Sequence, residues 1–164
     1  MGRVALWLAG LVAAAVLWWG FATVLHGAGG ADVGARIGVA AMALLPATGV
    51  LLAMILAQML ARARSDAVDP TAGRDTAFLR TNQRVISNTV EQMAAFAPAL
   101  LALAAGTSPA RMPVVAALGF VFACARLGFW IGYIVGPNLR APGMTATFAV
   151  NLVTASAAAW VWLT

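Results

Sequence analysis

Lysine is absent from this 164-residue sequence, and cysteine, histidine, glutamate and tyrosine each occur once. Charged residues make up 9% of the chain, where an ordinary soluble domain carries roughly a quarter. The lone Cys124 lies in an apolar run, so there is no disulfide framework and no cysteine-based metal site. One histidine, His26, leaves no histidine cluster for a metal or haem. The net charge of +5 does not indicate nucleic-acid binding, because the basic residues are spread over segments flanking apolar runs and are not clustered with aromatics.

What remains is hydrophobic, at 63% of residues, and reads as an integral membrane protein. A spanning helix needs about 20 mostly apolar residues. The first such run, Val4–Leu25, has no charge, and it is too long for the usual signal-peptide core of about 7–15 residues. The second, Ile37–Ala61, contains Pro46, which spanning helices tolerate. The apolar stretch Met93–Ala105 is too short alone, so the third span has to begin near Val85. Its helix, from about residue 76, is capped by Asp75 or Thr76. The fourth run is Met112–Val135, with Arg126 inside, and the fifth is near Thr145–Leu163. Gly and Pro punctuate the connections.

With five spans, Arg3, Arg62, Arg64, Arg74, Arg80, Arg84 and Arg140 fall on or near one side, and Arg36 and Arg111 on the other. The Arg-rich side is expected to be cytoplasmic, with the N-terminus inside and the C-terminus outside. Arginine without lysine, in a chain rich in Ala and Gly, suggests a GC-rich bacterial genome and a bacterial inner membrane. No internal repeat is evident, and residues 1–164 read as one membrane domain.

The polar residues inside the apolar spans form a pattern. In "RTNQRVISNTVEQMAAF", Arg80, Arg84, Asn88 and Glu91 fall within an arc of roughly 80° at about 100° per residue. A charge near the bilayer centre costs about 2.5–3.5 kcal/mol even on lenient scales, so this stripe faces other helices or water. In "ARLGFWIGY", Arg126 and Tyr133 are seven apart on one face, flanked by Phe129 and Trp130. Arg126 is the expected partner of Glu91. A single Arg–Glu pair would suit a network that only ties helices together. Arg84, Arg126 and Arg140 cannot all be neutralised by Glu91, and an anionic ligand is the natural missing partner. Arg62 and Arg64, closing the second helix, suit either membrane anchoring or ligand contact.

These residues resemble the MAPEG family, the membrane-associated proteins of eicosanoid and glutathione metabolism. Arg84, Asn88 and Glu91 match the family's spacing, and "ARLGFWIGYIVGPNLRAP" resembles the leukotriene C synthase stretch, with further likeness to the microsomal glutathione transferases. The resemblance implies an all-α homotrimer of four-helix subunits, here residues 35–163, with residues 4–25 an added N-terminal transmembrane helix. It further implies glutathione as co-substrate, held between subunits by Arg84, Asn88, Glu91, Arg126 and Tyr133, with Arg62 or Arg64 contributing. Arg140 stands where the family's thiol-activating arginine stands. The implied activity is glutathione transfer to, or peroxidase reduction of, lipophilic molecules in the bilayer. Gln92 and Phe129 depart from the pattern, standing where the related enzymes carry an aromatic and a tyrosine. The alternatives are a non-catalytic membrane protein that binds an anionic or thiol ligand, and a small transporter. Five unequal helices without a repeat argue against the transporter.

Overall fold

The computed structural model describes residues 2–25, 31–65, 67, 69–136 and 138–164, so His26 and Pro137 lie outside it. The described chain forms five long helices: α1 (Arg3–Val24), α2 (Val33–Ala63), α3 (Ala77–Gly106), α4 (Met112–Val135) and α5 (Ala141–Leu163). Each is long and apolar enough to cross a membrane. Short 3-10 turns, Pro70–Ala72 and Pro109–Arg111, precede α3 and α4.

Two helix starts lie earlier than hydropathy alone suggests, and local chemistry explains both. The Asp32 carboxylate accepts the Ala35 amide at 2.8 Å and caps α2, so the helix begins ahead of its apolar run. α5 begins at Ala141 and not near Thr145, with Pro142 in its first turn, where a missing N–H leaves no helical bond unmade. Pro142 thus starts a helix. Thr76 supplies the α3 cap, accepting from the Leu79 amide, while Asp75 is engaged elsewhere. Near the first of the 3-10 turns, Asp69 accepts from the Thr71 amide and hydroxyl, which holds its carboxyl below the usual carboxylate range.

α4 is the central helix and touches the other four. Its small residues permit this: a Cβ on Gly119 would overlap the Ala43 backbone of α2. Around it, α2 packs on α3, and α3 on α5. α1 lies outside, against α4 and α5. It is held by the close approach of Gly10 to the Pro142 backbone, by the Trp18 indole donating to the Val114 carbonyl at 3.3 Å, and by Phe21 stacked on Phe120. Large apolar side chains including Trp19, Leu45, Leu52, Phe148 and Leu152 point outward, as a lipid-facing surface requires.

Candidate functional site: an arginine-lined cleft at the α3–α4–α5 junction

Three helices each supply two residues, four apart on one face, to a cleft of about 300 Å³. α3 contributes Arg84 and Asn88, α4 contributes Phe129 and Tyr133, and Arg140 and Met144 come from the start of α5. The spacing is what a helix needs to present two side chains in one direction. Arg84 and Arg140 are exposed, and among the described residues no carboxylate pairs with either. The Arg140 guanidinium lies over the Tyr133 ring, 4.6 Å from its centroid.

Arg126 sits behind this wall and is fully buried. Its Nε donates to Thr89 Oγ1 at 3.2 Å, and its Nη2 donates to Thr89 Oγ1 at 2.7 Å and to Asn88 Oδ1 at 3.1 Å. Thr89 can accept both bonds because its own hydroxyl hydrogen goes to the Val85 carbonyl at 2.8 Å. Nη1 of Arg126 is buried with no partner among the described residues. A buried cation with neutral partners and an unused donor suits an anion arriving beside Asn88.

The expected Glu91–Arg126 pair is not formed within the chain. The arginine turns to the inner face of α3, where Val85 and Thr89 lie, and Glu91 is about 200° of helix rotation from Thr89. Glu91 is instead exposed on the outer face of a membrane-spanning helix. Arg62 and Arg64 also lie outside the cleft. Arg62 grips Asp75 with both terminal nitrogens, at 2.8 and 3.2 Å, and donates to the Ala67 carbonyl at 2.9 Å. Arg64 is exposed at the end of α2. Of the sequence-derived candidates, the cleft gathers Arg84, Asn88, Tyr133 and Arg140, with Arg126 behind them.

Two polar connections escaped the sequence reading. Trp130 Nε1 donates to Asn82 Oδ1 at 2.7 Å, Asn82 Nδ2 donates to Gln58 Oε1 and the Met54 carbonyl, and Gln58 Nε2 donates to the Leu79 carbonyl. This chain ties α2, α3 and α4 together. Asn151 of α5 donates to Gln92 Oε1 at 2.7 Å, so Gln92 joins two helices. The available signal was an amide side chain inside an apolar run, as in "ILAQML".

The fold and cleft define an integral membrane helical bundle with a cationic recess between its helices. Residues 38–160 match the MAPEG family, and the chain belongs to that family. The match covers α3, α4 and most of α2 and α5, leaving α1 outside it. No curated protein matches the chain.

Proposed function

We propose that the protein is a glutathione-dependent transferase or peroxidase acting on lipophilic molecules that partition into the bilayer. The observation that carries this reading is the convergence of Arg84, Asn88, Tyr133 and Arg140 on one cleft, with the unused donor of Arg126 behind it. Glutathione has two carboxylates, one ammonium and one thiol. Arg84 and Arg126 suit the carboxylates, and Arg140 suits the sulfur. Stabilising the thiolate raises its share at neutral pH and makes a better nucleophile. In transfer, the thiolate forms a bond to the electrophilic carbon and the leaving group departs with its electron pair. In the peroxidase reaction, two glutathiones give one disulfide while a hydroperoxide becomes an alcohol and water.

The ammonium needs an acid, and Glu91 is the only glutamate in the chain. An exposed carboxylate on a spanning helix is costly against lipid, which favours a neighbouring subunit covering that face. A homotrimer with the ligand between subunits meets this need. The Arg-rich end faces the cytoplasm in this reading, in a bacterial inner membrane, as the arginine asymmetry favours. Arg62 is committed to Asp75, so of the two arginines at the C-terminal end of α2 Arg64 is the freer for ligand contact.

A second reading, a non-catalytic binder of an anionic or thiol ligand, draws support from Phe129, whose ring stands between Arg126 and the cleft. Purified protein incubated with glutathione and a lipophilic aryl halide, or a lipid hydroperoxide, separates the two. Conjugate or alcohol formed above the uncatalysed rate supports the enzyme. Glutathione binding by calorimetry without turnover on either substrate supports the binder. Absence of both rejects glutathione.

A further inference from the structure

The two arginines at the opposite end of the bundle are used differently. Arg36 donates to the Ala104 and Ala105 carbonyls at 3.3 and 3.1 Å and so closes the end of α3. Arg111, in the turn before α4, is exposed, and no carboxylate or carbonyl among the described residues receives its guanidinium. It stands with Thr107, Trp18 and Trp160 around a cleft of about 300 Å³ whose remaining walls are aliphatic. That cleft shares Trp18, Leu118 and Val153 with a second hollow of about 280 Å³ reaching Leu11 and Ala149. Together they make one groove between α1 and α5, floored by α4.

We infer that this groove holds one anionic phospholipid, with its phosphate on Arg111 and one acyl chain lying along Leu118 and Val153 toward Leu11. The length fits. From Trp160 to Ala149 is eleven residues of α5, about 16 Å at 1.5 Å per residue, close to half of a ~30 Å hydrocarbon core. The groove therefore runs through about one leaflet, with its cation at the headgroup level. Tryptophans at that level suit the interface between hydrocarbon and water. The charge also fits: among the described residues the groove has one cation at its polar end and no acid to receive the quaternary amine of a zwitterionic lipid. α1 builds one wall and lies outside the residues matched to the family, so the site is separate from the α3–α4–α5 cleft.

The test is native mass spectrometry of the detergent-solubilised full chain, titrated with phosphatidylglycerol, phosphatidylcholine or oleate of matched chain length. The parent is expected to hold phosphatidylglycerol about fivefold more tightly than phosphatidylcholine, the ratio that one basic side chain gives at an anionic membrane surface. Arg111→Gln should remove that preference and Arg111→Lys should keep most of it. Ala149→Phe, which fills the apolar part of the groove, should weaken retention of phosphatidylglycerol while leaving any glutathione binding as in the parent. Equal retention of the two phospholipids by the parent overturns the inference, as does a preference that survives Arg111→Gln. Arg111-dependent retention of oleate in place of phosphatidylglycerol also overturns it, and names a free fatty acid as the occupant.

Discussion

The guanidinium of Arg126 lies against the ring of Phe129, 4.2 Å from its centroid, and Phe129 meets Tyr133 edge to face at 5.5 Å. Arg140 then covers Tyr133, so a pair of rings lies between two cations from the bundle interior to the end of α4. Arg126 is the inner cation, held by Thr89 and Asn88, and Arg140 is the outer one, held among the described residues by the ring beneath it. The arrangement gives the cleft a fixed deep charge and a more adjustable shallow one.

Thr89 is therefore central to stability although its side chain is small. Thr89→Val keeps the shape but deprives the buried Arg126 of two hydrogen bonds. Bonds to charged groups are worth about 1.5–3 kcal/mol each, so a loss of about 3–6 kcal/mol is expected for the two. Thr89→Ser should recover most of it, because the hydroxyl returns. Thermal unfolding in detergent reads both variants. If valine and serine behave alike, the hydroxyl does not hold the arginine.

The spans were legible because a membrane helix announces itself by length and by missing charge, as the run Val4–Leu25 shows. Arg84 and Asn88 were legible because helical spacing places them on one face, Tyr133 because it shares a face with the buried Arg126, and Arg140 because it is a cation in the turn that follows. Thr89 was not. A threonine in a helix carries no charge to match against Arg126, and pairing by sign pointed to Glu91 instead. The Gln58–Asn82–Trp130 chain was missed because each member looks ordinary in sequence, and only packing brings three helices together there. The commitment of Arg62 to Asp75 depends on how the α2–α3 connection folds back, which no periodicity encodes.

That connection gives a second measurable quantity. Arg62 and Asp75 form a two-pronged ion pair, each about one-fifth exposed. A double-mutant cycle with Arg62→Ala and Asp75→Ala should return a coupling near the top of the about 0.2–1 kcal/mol range for accessible pairs. Additive effects would mean the pair contributes nothing beyond its separate contacts.

The docking of α1 turns on Gly10. Any side chain there would overlap the Pro142 backbone, whereas a Cβ on Gly20, further along the same helix, meets nothing within 4 Å. Gly10→Leu is expected to lower the unfolding temperature, by an amount corresponding to about 1–3 kcal/mol of overpacking. Gly20→Leu should be silent. Equal effects at the two positions would mean that α1 does not pack on α5 through this contact.

Arg140 and Arg84 have separable roles. Both line the cleft, but Arg140 rests on Tyr133 at the start of α5, and Arg84 stands across from it on α3. If Arg140 stabilises the glutathione thiolate, its removal raises the pKa of the bound thiol, and the thiolate fraction at neutral pH falls. Arg140→Ala should then lower turnover much more than glutathione affinity, with the pH–rate profile displaced to higher pH. Arg140→Lys should restore part of the rate, because a point charge still favours the thiolate without the planar fork. Arg84→Ala should weaken binding with little displacement of the profile. Tyr133→Phe keeps the ring under Arg140 and should leave the bound thiol's pKa near that of the parent. Tyr133→Leu removes the ring, and with it a cation–ring contact worth about 0.5–1 kcal/mol at an accessible site, so it should shift the profile in the same direction as Arg140→Ala but less far. The readout is thiolate ultraviolet absorbance against pH, with glutathione bound, in each variant. Identical titration with and without Arg140 would remove that arginine from the chemistry.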